Sequence, residues 1–398
     1  MAKNVKKKNK LFLTGKIDYV IVIVVALLLC IGGIMLLSAS APKALAESGN
    51  SYEYALKQLM FIVAGTCIAY IFSKIDYRIY KNMRWFIYAI TVLVLLLVGF
   101  FGLEAGGARR WLAIGKITIQ PSEFAKLSLL IFFASLFSVY SEKGKLKNFW
   151  ELAFKIVLSL GVIAMILIFV QNHFSTVVIM ATITGIQLFA AGLGWGITLL
   201  ITALGAALAF AGVFLAKTGR LGFRGTRIIT WLNIENAAAT KEGYQILQSL
   251  CAIGSGGFLG LGLGNGRQKY SYLPEAQNDF IFPIVAEELG FIGAIVVIIL
   301  FLIFIWRGFK IASETKDVYS KLIAVGATSL IGVQALINMA VVTNTIPVTG
   351  VPLPFFSYGG SAMLTNLWTV GILLAISRRN DMNNKNDFEN ERIEKWEL

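Results

Sequence analysis

Acidic residues are scarce in this 398-residue chain: 22 Asp and Glu stand against 36 Lys and Arg, and charged residues make up only 15%. Soluble globular proteins carry roughly a quarter charged residues, so an ordinary water-exposed surface is excluded. The single histidine, His173, cannot build a His-based metal site without carboxylate help, and no Cys/His spacing supports zinc. Cys30, Cys67 and Cys251 give no disulfide framework; the first two fall in apolar runs and are expected simply to pack. No G-x-S-x-G and no nucleophile–His–acid arrangement presents itself. There is no obvious internal repeat, and no low-complexity segment beyond the polar tails.

What the chain has in abundance is apolar sequence, 57% of its residues, with a mean hydropathy of +0.73. A membrane-spanning helix needs about 20 mostly apolar residues. Runs of that kind fall near 18–40, 55–73, 85–103, 124–140, 152–170, 175–193, 194–215, 280–306, 320–343 and 361–377. The pattern predicts an all-α polytopic membrane protein of about ten transmembrane helices in one bundle. The first run follows a basic stretch and ends near a small-residue "SAS", as a signal peptide would. Its apolar core, Val20 to Leu37, is longer than a signal h-region, so it reads as a retained span.

A net charge of +14 raises nucleic acid as a partner, but the distribution of Lys and Arg marks membrane sidedness instead. With both termini in the cytoplasm, 22 of the 36 basic residues lie in cytoplasmic tails and loops. The short outer loops hold four, Lys43, Arg109, Arg110 and Lys116. The expected organisation is a basic cytoplasmic tail (1–17), a membrane domain (18–377) and a cytoplasmic tail (378–398). Two extracytoplasmic loops stand out, 216–279 between spans seven and eight, and 344–360. Pro42, Pro121, Pro274, Pro347, Pro352 and Pro354 all fall in outer loops on this reading, with Pro283 just inside span eight. Irregular backbone at membrane depth needs burial or a cavity. The elaborate face is therefore extracytoplasmic, and the cytoplasmic loops read as plain connectors.

Three outer segments concentrate unusual residues. "GGARRWLAIGKITIQPSEFAK" (Gly106 to Lys126) sets Arg109 and Arg110 beside the amphipathic anchor Trp111. Glu123 and Lys126, spaced i,i+3, can pair on one helix face. Two arginines on the translocated side run against the charge bias and suit phosphate, which the guanidinium fork matches. "GYQILQSLCAIGSGGFLGLGLGNGRQKY" holds Gln248, seven glycines from Gly254 to Gly266, and then Arg267 and Lys269. It completes neither a Walker loop nor G-x-G-x-x-G, so close backbone packing is preferred, with an anionic headgroup as the alternative. "NMAVVTNTIPVTGVPLPFFSYGGSAM" includes Thr349, Pro354, Ser357 and Tyr358. It reads either as a cradle for a hydroxylated ligand such as a sugar or as a rigid loop sealing the bundle.

Between the last two segments, "YLPEAQNDFIFPIVAEELGFIG" places Glu275, Asp279, Glu287 and Glu288 around the start of span eight. Asp279 belongs at the outer membrane boundary, as a helix N-cap or as a catalyst. Glu287 would lie about 12 Å deeper along a continuous helix. A charge there costs at least ~2.5 kcal/mol by insertion scales. Interhelical pairing with Lys57, Lys126 or Lys155 is the simple expectation; a transport pathway is the other.

Taken in order, "RRW…QPSE", the glycine-rich stretch running into "YLPEAQNDFIFPIVAEELGFIG", and "INMAVVTNTIPVTGVPLPFFSYGGS" resemble the SEDS family (shape, elongation, division and sporulation proteins), which includes FtsW and RodA. The resemblance covers nearly the whole chain, and "GLGNGRQKYSYLPE" looks more like the division and sporulation members than like RodA. It implies a peptidoglycan glycosyltransferase that polymerises lipid II on the outer face of the bacterial cytoplasmic membrane, at the division septum. A class B penicillin-binding protein and other division proteins would be its partners. Asp279 maps onto the family's catalytic aspartate and would be the general base on the acceptor hydroxyl. One base fits a transferase, whereas a hydrolase would be expected to show two opposed carboxylates. Arg109, Arg110, Arg267 and Lys269 would meet the leaving pyrophosphate. Trp111, Glu123, Lys126, Gln248, Glu275, Glu287, Glu288, Thr349, Pro354, Ser357 and Tyr358 would support the site. A divalent cation such as Mg or Mn could assist, although no ligand set identifies one. The chain departs from the family pattern at Asn172-His173-Phe174-Ser175 and at Asn344. A lipid flippase or transporter, favoured by the deep Glu287 and Glu288, and a non-catalytic division scaffold remain as alternatives.

Overall fold

The computed structural model describes residues 12–105, 108–115, 117–144, 149–194, 228–232 and 240–397. Among the described residues eight helices are long and apolar enough to cross a membrane. Helix α1 (Tyr19–Ser48) begins at Asp18, whose carboxylate accepts the Ile21 amide at 3.1 Å, and ends on Gly49 in the left-handed region. It runs through Pro42, which the sequence pattern had placed in a loop. The stretch after that proline, "KALAES", consists mainly of good helix formers, so the helix outlasts its apolar run. Helices α2 (Glu53–Lys74) and α3 (Ile79–Phe101) follow. Next comes a small antiparallel sheet, β1 (Leu103–Ala105), β2 (Ala108–Ile114) and β3 (Ile117–Ile119), in the order β1-β2-β3.

Helix α4 (Pro121–Glu142) starts with proline at its first position, where no intrahelical donor is lost. Helix α5 (Phe149–Met165) closes in a π turn at Ile166–Val170, and α6 (Phe174–Ala190) is only 17 residues long. The predicted seventh span, 194–215, lies outside the described residues apart from Gly194. Beyond it come α7 (Lys241–Ser255), α8 (Ile281–Ser313), α9 (Val318–Val342) and α10 (Gly360–Glu397).

Burial sorts these helices into two layers. The apolar windows of α4, α9 and α10 are 78%, 72% and 72% buried and form the centre. Those of α2, α3 and α5 are 17%, 11% and 22% buried, so most of their apolar surface faces outward, where a bilayer would cover it. The molecule is thus a multi-pass membrane protein. The sheet and the loops at 49–52, 171–173 and 343–359 share one end, called here the site end; the turns at 75–78 and 314–317 share the opposite, tail end.

Two segments at the site end turn back into the bundle. Helix α7 comes first: Ser249 Oγ on it donates to the Val342 carbonyl at the end of α9. The turn after it reaches the level of Ala286–Ile292 in α8. The sequence pattern had read 216–279 as a loop; its described part holds this helix. The second segment is 344–359. Its base, Phe355 and Phe356, is fully buried beside Phe301 and Phe304 of α8 and Gly32 of α1.

The tail end is tied more closely than plain connectors would be. Leu13 donates its amide to Lys74 O at 2.7 Å, and Arg378 Nη1 donates to Gly15 O at 2.7 Å. Arg307 meets Asp18 at 2.6 Å and Arg78 meets Asp317 at 2.9 Å.

Candidate active site

Helix α8 is not continuous. Gly290 has φ +68°, which breaks the ladder and leaves the carbonyls of Glu287 and Glu288 and the amides of Phe291 and Ile292 without helical partners. The glycine-rich turn supplies all four. Leu261 and Gly262 donate to Glu287 O and Glu288 O at 2.9 and 3.1 Å, while Phe291 and Ile292 donate to Gly257 O and Phe258 O at 2.9 and 3.3 Å. Such contact requires bare backbone: a Cβ on Gly260 would stand 2.1 Å from Glu288 O, and one on Gly256 2.0 Å from Ala286 O. The glycines therefore serve close packing, the reading preferred from sequence.

The two glutamates complete this seam. Glu287 accepts the amides of Arg267 (2.8 Å) and Gln268 (3.3 Å). Glu288 accepts those of Gly264 (3.0 Å) and Gly266 (3.3 Å), the Lys269 ammonium (2.7 Å) and the Ser38 hydroxyl of α1 (2.8 Å). Both carboxylates are 1% exposed, and every one of these donors belongs to the turn or to α1. The expected partners are engaged elsewhere: Lys57 with Glu53, Lys126 with Glu123 and Lys155 with Glu151. Charge at this depth is tolerated because each oxygen is matched by donors.

Asp279 sits differently. The N-cap of α8 is Phe280, which makes no side-chain cap bond, so Asp279 is not the cap of that helix. The Asp279 carbonyl accepts from Asn338 Nδ2 at 2.7 Å, and the same amide group donates to Val351 O at 2.8 Å. Asn338, buried in α9, thereby sutures the aspartate's backbone to the 344–359 loop. Asn338 lies 21 residues beyond the Asp317 cap of α9, or about 30 Å along the helix, one hydrocarbon thickness from the tail end. The Asp279 side chain is partly exposed and faces Gly350, where a Cβ would stand 3.6 Å from Oδ2. Next to Gly350, Thr349 O accepts from Ser175 Oγ at 2.7 Å, while the buried Thr349 hydroxyl has no hydrogen-bond partner among the described residues.

The other predicted residues divide by position. Tyr358 donates its amide to Gln277 O at 2.8 Å and stacks edge-on with Tyr54 at 4.9 Å, joining the two loops and α2. Pro354 and Ser357 are buried in the base of the loop, where Ser357 Oγ accepts the Leu353 amide at 2.8 Å and Ser357 O accepts from Gln58 Nε2 at 3.1 Å. The upper part of the loop thus faces Asp279 and the lower part seals the bundle. Glu275, at φ +57°, lies 3.7 Å from Lys43 and accepts from Asn278. Gln248 is half-buried on α7. Glu123 and Lys126 form the predicted pair at 2.8 Å, almost fully buried at the start of α4.

The four candidate cations also separate. Arg110 donates to the carbonyls of Gln171 (2.9 Å) and Asn172 (2.8 Å), fixing β2 to the turn between α5 and α6. Lys269 is 6% exposed and bound to Glu288, Ser38 and Gly264 O, so it serves the seam rather than a ligand. Arg109 is exposed, 3.8 Å from Glu104 across β1–β2, with Trp111 half-buried in the same strand. Arg267 is exposed and pairs with no acidic group among the described residues. His173 contacts Thr176 Oγ1 at 3.1 Å; burial, with Arg110 and Lys126 nearby, pushes its pKa down to about 3 and keeps it neutral. Among the described residues no three His, Cys, Asp or Glu side chains converge as a metal-ligand set.

The chain is similar to known proteins along most of its length. The family model described as a cell cycle protein, covering FtsW, RodA and SpoVE, matches residues 18–382. The chain belongs to this family. Its FtsW/RodA/SpoVE relatives include stage V sporulation protein E of Bacillus subtilis (strain 168), 39% identical over 91% of this chain and 97% of that one. A probable peptidoglycan glycosyltransferase FtsW of Trichlorobacter lovleyi is 37% identical over 93% and 95%. Among solved structures, a chain of a peptidoglycan synthase complex coordinating polymerization and crosslinking aligns at TM-score 0.73 and 23% identity over 92% and 98%. The rod shape determining protein RodA of Thermus thermophilus aligns at 0.64 and 23% over 91% and 97%. These two share the fold.

Sequence reasoning passed over Asn338, Gln58, Ser38 and Ser175, which hold the site loops together. Asn338 and Gln58 carried a signal: each is an amide side chain within a mainly apolar helix.

Proposed function

We propose that this family member is a peptidoglycan glycosyltransferase that polymerises lipid II at the site end, on the extracytoplasmic side, with Asp279 as general base. The observation that carries this reading is the placement of Asp279. It is a partly exposed carboxylate about one membrane thickness from the tail end, with its backbone fixed by Asn338 and its Oδ2 against bare glycine backbone. A lipid-linked substrate presents its sugar and pyrophosphate at that height. Asp279 would take the proton from the acceptor hydroxyl as that oxygen attacks the donor's anomeric carbon. The bond to the lipid pyrophosphate breaks, and Arg109 and Arg267, the exposed two of the four candidate cations, would meet the departing charge. Arg110 and Lys269 act one step back, by fixing the sheet and the glycine turn.

Glu287 and Glu288 supported the flippase alternative only while their partners were unknown. Their donors all come from the turn and α1, which leaves no pathway role for them to explain. A class B penicillin-binding protein at the division septum, with other division proteins, completes the proposal; the TM-score match to a chain of a peptidoglycan synthase complex is in keeping with it. The test is polymerisation of lipid II by the purified protein together with its partner. Asp279→Asn is expected to lower the rate by about 10²–10⁴-fold, the usual weight of a positioned base, with unchanged thermal stability. Wild-type polymerisation by that variant would overturn the assignment. Lipid II movement across liposomes without polymer would favour the flippase.

A further inference from the structure

The tail end holds a cleft that the chemistry above does not use. It is an open surface groove of about 340 Å³ between the chain entering α1, the last turns of α8 and the middle of α10, with Lys16, Asp18, Tyr19, Arg307, Glu314 and Asp381 in its lining. Two internal pairs account for part of its charge. Arg307 Nε donates to Asp18 Oδ2 at 2.6 Å, and Asp381 pairs with Lys385 at 2.8 Å while accepting the Lys16 amide at 2.9 Å. The Lys16 ammonium and the Glu314 carboxylate are left, both exposed and without an ion pair among the described residues. The terminal amino groups of Arg307 make no further bond among those residues. One cation, one anion and an open guanidinium edge fit a phosphate–ammonium zwitterion better than a purely anionic group.

The cleft stands at headgroup height. Tyr19, the first residue of α1, is 63% exposed, and Trp306 near the end of α8 is 60% exposed with Lys310 Nζ 5.6 Å from its ring centroid. Aromatic rings at span ends mark the membrane–water interface. From the cleft toward the bilayer centre, exposed Val20, Ile23 and Leu27 on α1 and Leu302 on α8 give acyl chains an apolar track.

We infer that this cleft binds a phosphatidylethanolamine-class lipid of the leaflet at the tail end, with its phosphate on Lys16 and Arg307 and its ammonium on Glu314. Such a lipid braces the segment from Leu13 to Asp18 against α8 and α10. The inference is independent of the activity proposed above.

The test reconstitutes the full chain in bilayers with equal phosphatidylethanolamine and phosphatidylglycerol and counts retained lipids by native mass spectrometry. The wild type is expected to retain the ethanolamine lipid about five-fold over the glycerol lipid, in line with one well-placed surface charge. Lys16→Ala with Glu314→Gln, both exposed and remote from the site loops, is expected to bring the ratio to one. Asn384→Trp, which fills the cleft without touching its charges, is expected to do the same. Retention in the bulk ratio, a preference for the glycerol lipid, or a preference that survives both variants would overturn the inference. So would displacement by soluble phosphoethanolamine at matched concentration, which would make the ligand a free headgroup.

Discussion

Asp279 and Glu288 lie nine residues apart at the start of one helix, and their surroundings are opposite. Glu288 is closed off by two turn amides, an ammonium and a serine hydroxyl, with nothing left exposed. Asp279 is held by its backbone while its side chain stays partly open beside a glycine. A carboxylate whose oxygens are all closed off by protein donors holds structure; one whose side chain stays partly exposed can meet a substrate proton. The difference teaches that depth alone does not assign a role to an acidic residue in a membrane protein.

That comparison breaks most sharply through activity. If it holds, Asp279→Asn removes polymerisation and leaves folding intact, whereas Glu288→Gln changes stability first. The largest stability effect is expected from Glu288→Ala, which strands the buried Lys269 ammonium. Breaking a buried pair on one side costs about 3–5 kcal/mol, to be read as a lower midpoint in thermal unfolding of the detergent-purified protein. Gly260→Ala should be close behind, at about 1–3 kcal/mol as overpacking, because its Cβ would meet Glu288 O at 2.1 Å and its φ of +79° disfavours a side chain. Should Gly260→Ala be as stable as wild type, the close contact between turn and helix is wrong. The smallest effect belongs to Lys43→Ala, whose contact with Glu275 is long and exposed; it should fall within about 1 kcal/mol.

Much of the fold was legible because the bilayer imposes a single strong rule, some 20 apolar residues per span. The i,i+3 pairing of Glu123 and Lys126 was legible for a similar reason, since helix geometry is local. Partner choice was not. Lys269 looked like a ligand-binding cation because it follows Arg267 in a glycine-rich turn, yet the fold of that turn delivers it to Glu288. Arg110 looked equivalent to Arg109, but strand alternation sends one to the α5–α6 turn and the other to the surface. Pro42 was read as a loop marker because apolarity stops before it, whereas helix propensity continues past it.

The sequence by itself determined that the chain is a helical membrane protein, which face is elaborate, and which carboxylate stands at the head of span eight. Those properties depend on composition and on spacing along one element. Only the tertiary structure decided that Gly290 opens α8, that the glycine turn fills the gap, and that Asn338 joins Asp279 to Val351. The last two are hydrogen bonds between separate segments, and those of the glycine turn hold the break at Gly290 open. A buried donor or acceptor takes whichever partner the fold brings within about 3 Å.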